Sequence, residues 1–162
     1  MRKAIVVLVI LTLVASLQVA NAAPAWKMYD AGAFTVKYPV GWKVQPIKDD
    51  GVNFASPDGV VFYALGGGQF YDAGLKYSYQ LHPATEIKVS EELNGFPHTA
   101  HLRIVSIRAR DGSYYRRFVE TINAVGELKV FGFKYPSLAT FEKHKSQFAK
   151  FQATIVLVYA GP

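Results

Sequence analysis

The chain contains no cysteine, so disulfide bonds, thiolate metal sites and a cysteine nucleophile are all excluded. A lipid anchor on an N-terminal cysteine is excluded for the same reason. Long apolar runs are also scarce. The longest one, Ala4 to Val14, is interrupted by Thr12 and is shorter than the roughly 20 residues that a helix needs to cross a bilayer. The sequence therefore predicts no stable membrane insertion after processing.

The first 22 residues have the order of a secretory signal peptide. Arg2 and Lys3 form a basic start, the apolar run follows, and residues 20–22 (Ala-Asn-Ala) supply a small-residue cleavage pattern. Cleavage after Ala22 is predicted, which places the mature protein in the periplasm or outside the cell. The alternative is that residues 4–17 stay attached and tether the protein to the membrane.

The 140 residues that follow, 23–162, have the length of one domain, which can bury enough surface without covalent crosslinks. The signal peptide holds two of the 18 Lys and Arg residues and none of the 12 Asp and Glu residues, so the mature chain carries a net charge of +4. This mild excess is compatible with an anionic partner, a membrane surface or a cell-wall polymer. It is far from the footprint of a nucleic-acid-binding protein, so no nucleic-acid partner is expected.

Alternating apolar and polar residues predict a series of short strands. Their predicted bounds are Phe34–Tyr38, Trp42–Ile47, Val52–Ala55, Val60–Leu65, Glu86–Glu92, His101–Arg110, Tyr114–Ala124 and Leu128–Tyr135. Asp111-Gly112 predicts a tight hairpin between the sixth and seventh of them. Residues 23–31 lack the pattern and are interpreted as a lead-in.

Glycines and polar residues predict where the strands end. The triplet Gly66–Gly68 is expected to end the fourth strand, and residues 69–81 form either a short helix or an ordered loop. Asn94-Gly95 is expected to be a turn.

One helix is predicted near the end of the chain, with Ser137 as its N-cap. Apolar residues at helical spacing are expected to pack on the sheet: Leu138, Phe141, Phe148, Phe151 and Ile155. The apolar tail 156–159 either extends this helix or covers a sheet edge.

The sequence resembles the PsbP-like family. Residues 34–42 (FTVKYPVGW) match the family's opening hairpin, F-x-[VI]-x-[YF]-P-x-G-W, and residues 53–59 (NFASPDG) resemble its next turn. Asn94-Gly95 before a long strand and a terminal helix with Phe141 and Phe148 complete the order.

The resemblance implies an α/β (α+β) fold, an α/β/α sandwich with a central, mainly antiparallel sheet and a C-terminal amphipathic helix. It also implies a role in binding, because most characterised members of the family are binders or assembly factors. Between Gly66 and Pro83 the sequence departs from the family, since a short tyrosine-rich segment stands where a fuller helix is usual. The bacterial type of signal peptide disfavours a photosystem role.

Catalytic and metal-binding patterns are weak. His98 and His101 are three residues apart, but on a strand they point to opposite faces and lack further ligands. His82 and His144 are interpreted as ordinary surface or edge residues. The glycine triplet lacks the Lys and Ser/Thr of a phosphate loop, and no Gly-x-Ser-x-Gly elbow occurs. No enzyme activity, cofactor or metal is therefore predicted.

Arginines and tyrosines crowd one predicted hairpin and the segment after the glycine triplet. The candidate binding residues are Arg108, Arg110, Tyr114, Tyr115, Arg116 and Arg117 on the hairpin, with Tyr71, Tyr77 and Tyr79 on the segment. Arginine pairs with carboxylates and phosphates, and tyrosine adds rigid contact area. Because residues alternate between faces on a strand, about half of the hairpin residues share one face. The alternative is a sheet edge protected by solvated charge.

These patterns predict a secreted, non-catalytic binding protein. The first hypothesis is an adaptor or assembly factor that contacts a periplasmic or envelope protein. The second is a module that binds a small ligand or the cell envelope, with the tyrosines of residues 71–79 as a pocket wall. The third is an unrecognised hydrolase.

Overall fold

The computed structural model describes residues 25–48, 51–70, 79–95, 101–124 and 126–158. The predicted signal peptide and its cleavage after Ala22 lie outside these residues and stay predictions. The same holds for Tyr71, Tyr77 and His98.

Ten strands and one helix make up the described part of the chain. The strands are β1 (Trp26–Asp30), β2 (Phe34–Pro39), β3 (Lys43–Ile47), β4 (Gly51–Ala55), β5 (Val61–Phe70), β6 (Glu86–Gly95), β7 (His101–Ala109), β8 (Tyr115–Ile122), β9 (Glu127–Tyr135) and β10 (Val156–Leu157), and the helix is α1 (Leu138–Ala153).

The strands form two antiparallel sheets. The large sheet has seven strands in the order β3-β4-β5-β9-β8-β7-β6, and the small sheet has the order β1-β2-β10. The predicted antiparallel sheet and C-terminal helix are both confirmed. The tail residues Val156 and Leu157 pair with β2, which agrees with the edge-covering alternative.

Three local predictions were wrong. Residues 26–30 form a strand, which the sequence hides because only Trp26 and Tyr29, three residues apart, pack against the core. Strand β5 continues through the glycine triplet. Gly66 has φ of 117°, and a Cβ there would lie 2.1 Å from the Leu128 carbonyl oxygen, so this glycine permits a close approach of β9. Asn94-Gly95 is not a turn, because Gly95 pairs with His101 at the end of β6.

The first core lies between the large sheet on one side and α1 with the small sheet on the other. Phenylalanines dominate it, and Phe62 makes ring contacts with Phe133, Phe148 and Phe151 at centroid distances of 5.1 to 5.3 Å. Such edge-on and tilted aromatic pairs add to the burial of apolar area. The helix therefore fixes the half of the sheet formed by β4, β5 and β9.

Two helix residues differ from the prediction. Leu138 is 68% exposed, whereas His144 is buried. At about 100° per residue, His144 falls in the middle of the buried stripe with Phe148 and Phe151, and Leu138 lies about 110° away from it. The helix is not long or apolar enough to cross a membrane, and no other helix occurs in the described residues.

The second core lies on the opposite face of the large sheet. Tyr63, Leu65, Val105, Ile107 and Phe118 belong to it, and Tyr79 and Leu81 pack over them. The second helical layer of the expected sandwich is not found in residues 79–82, and residues 71–78 lie outside the described part.

We expect Ser137→Ala to lower the free energy of unfolding by about 1 kcal/mol, because the Ser137 hydroxyl accepts a hydrogen bond from the Thr140 amide at 3.2 Å. Urea denaturation followed by circular dichroism measures this change. The control is Ser146→Ala, an exposed position inside the same helix. Equal unfolding midpoints for the two variants would contradict the capping role.

Candidate functional site

The arginine-rich hairpin is the β7–β8 pair, and its residues divide between the two faces of the large sheet. Arg108 lies opposite Tyr115, and Arg117 lies opposite Ser106, on the face that carries α1. Arg116 points to the other face and is buried. Tyr114 precedes β8, and Arg110 sits at the exposed tip, where its Nε donates to the Pro83 carbonyl at 3.1 Å. The structure therefore does not bring the predicted residues into one patch.

On the α1-bearing side, within the described residues, β7 contributes no residue to the first core and β8 contributes only Val119, which packs against it. We call this surface the open face. Its residues alternate along the two strands: Leu102, Ile104, Ser106, Arg108, Tyr115, Arg117, Val119 and Thr121. Leu102, Ile104 and Val119 are half-buried, whereas Arg108 and Arg117 are exposed. Neither guanidinium makes a hydrogen bond or ion pair with another described residue, so this end of the open face presents two unneutralised positive charges.

Tyr115 gives the open face a rigid aromatic border. Its ring stacks on Tyr135 at a centroid distance of 5.8 Å and an interplanar angle of 15°. Tyr135 contacts Phe133 and Phe141 in turn, so the border is continuous with the first core. A fixed aromatic ring beside free guanidinium groups is the composition that protein-binding surfaces favour.

On the opposite face, Arg116 and Glu86 form a buried, bidentate ion pair. Arg116 Nε and Nη2 donate to the two carboxylate oxygens of Glu86, each at 2.7 Å, and the residues are 7% and 2% exposed. Arg116 also donates to the carbonyl oxygens of Tyr79 and Gln80, at 2.6 and 2.9 Å. Four of its five N–H groups are thus engaged. The pair joins β8 to β6 and fastens residues 79–80 over the sheet.

The Glu86 carboxylate is held in its charged form. Burial alone would raise the pKa of Glu86, but hydrogen bonds from Arg116, the His82 backbone N–H and the Tyr114 hydroxyl lower this pKa to about 2.

A cavity of about 430 Å³ lies beside this ion pair. Tyr63, Lys134, Tyr114 and Arg116 line it on the side of β5, β8 and β9. The Lys134 ammonium lies 3.8 Å from the centroid of the Tyr114 ring, and burial, followed by the charge of Arg116, lowers the pKa of Lys134. The hydroxyl of Tyr63 is buried beside the Arg116 guanidinium and donates its proton to no acceptor within the described residues.

Gly132 is the reason that Tyr63 can lie flat on the sheet. The two residues are cross-strand partners, and a Cβ at position 132 would lie 1.9 Å from Cζ of the Tyr63 ring. No sequence pattern groups Tyr63, Glu86 and Lys134. The cross-strand pairs Tyr63–Gly132 and Arg116–Lys134 bring them together, and a single sequence does not give this register.

Tyr79 anchors a second buried polar cluster near the other end of β8. Its hydroxyl bonds to the Glu120 carboxylate, which lies 2.9 Å from His101 Nε2. Arg103 lies 3.7 Å from the same carboxylate and donates to Glu91 at 2.6 Å. Tyr79 and His101 are therefore part of the packing of this face. Among the described residues, no group of three or more His, Cys, Asp or Glu side chains is arranged to hold a metal ion.

His144 is not the surface residue that the sequence predicted. Its Nε2 lies 2.9 Å from Asp58 Oδ2, and Lys143 donates to the same oxygen at 2.6 Å. Burial opposes ionisation of Asp58, but hydrogen bonds from Lys143, Ser56 and His144 lower its pKa well below the usual range. These contacts tie α1 to the β4–β5 turn.

Comparisons with known proteins support the fold. No family model and no curated protein matches the sequence. The structure is similar to the solution structure of cyanobacterial PsbP (CyanoP) from Synechocystis sp. PCC 6803, with a TM-score of 0.52 and 13% sequence identity over 86% of this chain and 96% of that chain. The chain therefore has a PsbP-like fold, as the sequence predicted. At this identity the likeness concerns the fold alone.

We expect Glu86→Gln to lower the free energy of unfolding at pH 7 by about 3 kcal/mol, because it leaves the buried Arg116 charge without its counter-ion. The folded-state pKa of Glu86 is below its unfolded value of 4.5, so this stabilisation is complete above about pH 4.5 and is lost as the pH falls toward 2. Urea titrations at several pH values measure the free energy of unfolding of wild type and variant. The difference between the two should shrink as the pH falls through that range.

Asp58 is present in both wild type and Glu86→Gln, so its contribution to the pH dependence cancels in the difference between their free energies of unfolding. The matched control is the double variant Glu86→Gln/Arg116→Met, which we expect to be more stable than Glu86→Gln alone, since it removes the uncompensated charge. A difference that does not change with pH would contradict the assigned role of the ion pair.

Proposed function

We propose that this chain is a secreted, non-catalytic binding protein that acts as an adaptor or assembly factor and contacts a protein partner through the open face. The observation that carries the proposal is the composition of this surface: half-buried aliphatic side chains bordered by Tyr115 and by the exposed Arg108 and Arg117, which no described carboxylate neutralises.

The non-catalytic part rests on how the buried polar groups are used. In the part of the chain that the structure describes, the buried charged or ionisable side chains other than tyrosine are Glu86, His101, Arg116, Glu120 and His144. Each of them makes a hydrogen bond or ion pair with another protein group. Their chemistry thus serves to hold segments together.

The partner is expected to be acidic. Two free guanidinium groups beside aliphatic side chains match a protein surface with carboxylates next to apolar residues, and the mature chain has a net positive charge. A periplasmic or envelope protein fits the predicted secretion. A second copy of this chain presents the same positive end and is not the expected occupant.

We expect the double variant Arg108→Glu/Arg117→Glu to reduce capture of the partner about tenfold or more, because reversed charges repel its carboxylates. Crosslinking in cells, affinity purification of the tagged protein and quantitative mass spectrometry measure the capture. Arg110→Glu is the matched control, since Arg110 is exposed at the hairpin tip and away from the open face. Arg116 is unsuitable, because its reversal places two carboxylates in a buried site.

Three results would contradict the adaptor role. They are unchanged capture by the double variant, equal loss in the Arg110→Glu control, and light scattering in which the wild-type chain is a dimer and the double variant is a monomer. Thermal unfolding followed by circular dichroism must show that the variants remain folded.

A further inference from the structure

The cavity beside the Arg116–Glu86 pair has the features of a ligand site, and it lies on the opposite face of the sheet from the open face. Its volume of about 430 Å³ is within the range of small-molecule pockets, roughly 300 to 1,000 Å³. Ile47, Val61 and Leu65 form an apolar part of its wall. Gln45 on β3 and Asn53 on β4 add polar side chains to the lining.

The charge of the cavity is not balanced. Glu86 neutralises Arg116, whereas Lys134 contacts the Tyr114 ring and has no carboxylate partner among the described residues. Lys134 is half-buried, so its ammonium group is partly removed from water. A partly desolvated cation without a counter-ion is costly, and an anion bound beside it offsets that cost.

The cavity also contains an unused hydrogen-bond donor. Buried tyrosine hydroxyls almost always find a partner, yet the Tyr63 hydroxyl, which lies beside the Arg116 guanidinium, donates its proton to no acceptor in the described residues although its side chain lines the cavity. Gly132 keeps the ring in this position, because any side chain there would overlap it. The sheet thus maintains a donor that no described protein group uses.

We propose that this cavity binds a small monocarboxylate with an apolar body, whose carboxylate is held by the Lys134 ammonium and the Tyr63 hydroxyl. One unpaired cation and one neutral donor match a single negative charge. A phosphate dianion would leave one charge unpaired in a partly buried site. The apolar wall provided by Ile47, Val61 and Leu65 accommodates the body of the ligand.

The test uses 4-phenylbutanoate as the probe and 4-phenylbutan-1-ol as its uncharged match, titrated into the full purified chain with calorimetry and ¹H–¹⁵N NMR. We expect a Kd of about 1 mM or lower for the carboxylate and binding about tenfold or more weaker for the alcohol. Amide shifts should concentrate on Tyr63, Arg116 and Lys134. Inorganic phosphate should bind at least about tenfold more weakly than the carboxylate.

Two variants test the assigned residues. Lys134→Met keeps the length of the side chain and should weaken binding of the carboxylate about tenfold, with little effect on the alcohol. Tyr63→Phe keeps the ring and should weaken binding several-fold without lowering the unfolding midpoint, because it removes a hydroxyl whose proton has no acceptor in the described residues. Lys150→Met is the matched control. Lys150 lies on α1, and its ammonium group is also placed over an aromatic ring, 4.7 Å from the centroid of Trp26.

The proposal is overturned by equal affinity for carboxylate and alcohol, by phosphate binding as tightly as the carboxylate, or by unchanged affinity in Lys134→Met. Chemical shifts confined to the open face would also overturn it. The first three outcomes do not affect the adaptor proposal, whose test depends on Arg108 and Arg117.

Discussion

The Arg116–Glu86 ion pair is the interaction on which the cavity side of the sheet depends. It connects two strands that are not neighbours, β8 and β6, and at the same time binds the carbonyl oxygens of Tyr79 and Gln80. A buried pair of this kind stabilises little when intact but costs several kcal/mol when one partner is removed. The main effect of this pair is to hold segments in place. The segments that it holds contribute to the second core and to the wall of the cavity.

The two faces of the sheet are consequently different in chemistry. On one face, α1 and the small sheet bury a phenylalanine core over β4, β5 and β9, and β7 and β8 extend beyond it as the open face. On the other face, buried charges are paired with one another, and one of these pairs, Arg116–Glu86, lines a cavity. Strand alternation places the neighbouring residues Arg116 and Arg117 on opposite sides of the sheet. One sheet can therefore bind two kinds of partner, each through different residues.

Much of the fold was predictable because its signals are local. Alternation located most strands, Asp111-Gly112 located the hairpin, and Ser137 located the start of the helix. The failures have physical reasons. The glycine triplet predicts a strand end from backbone propensity, but Gly66 is required by the close approach of Leu128 from another strand.

The candidate site was less predictable than the fold, since it depends on pairing between distant segments. Nothing in the sequence near Arg116 indicates that Glu86, 30 residues earlier, neutralises it, or that Lys134 lies across from it on β9. His144 has the helical spacing of a buried residue, but it was assigned to the surface because it is polar and its partner Asp58 is 86 residues away. Alternation, which is a local rule, predicted that about half of the hairpin residues share one face, and Arg108, Tyr115 and Arg117 do so.

Photocrosslinking from single positions in living cells shows whether the open face contacts a protein partner. A photoreactive amino acid at Ser106, in the middle of the open face, is compared with the same group at Ser146 on the outer side of α1. We expect one protein to be crosslinked from Ser106 and not from Ser146, through a peptide rich in Asp and Glu. The same products from both positions, or crosslinks only to a second copy of this chain, would contradict this expectation.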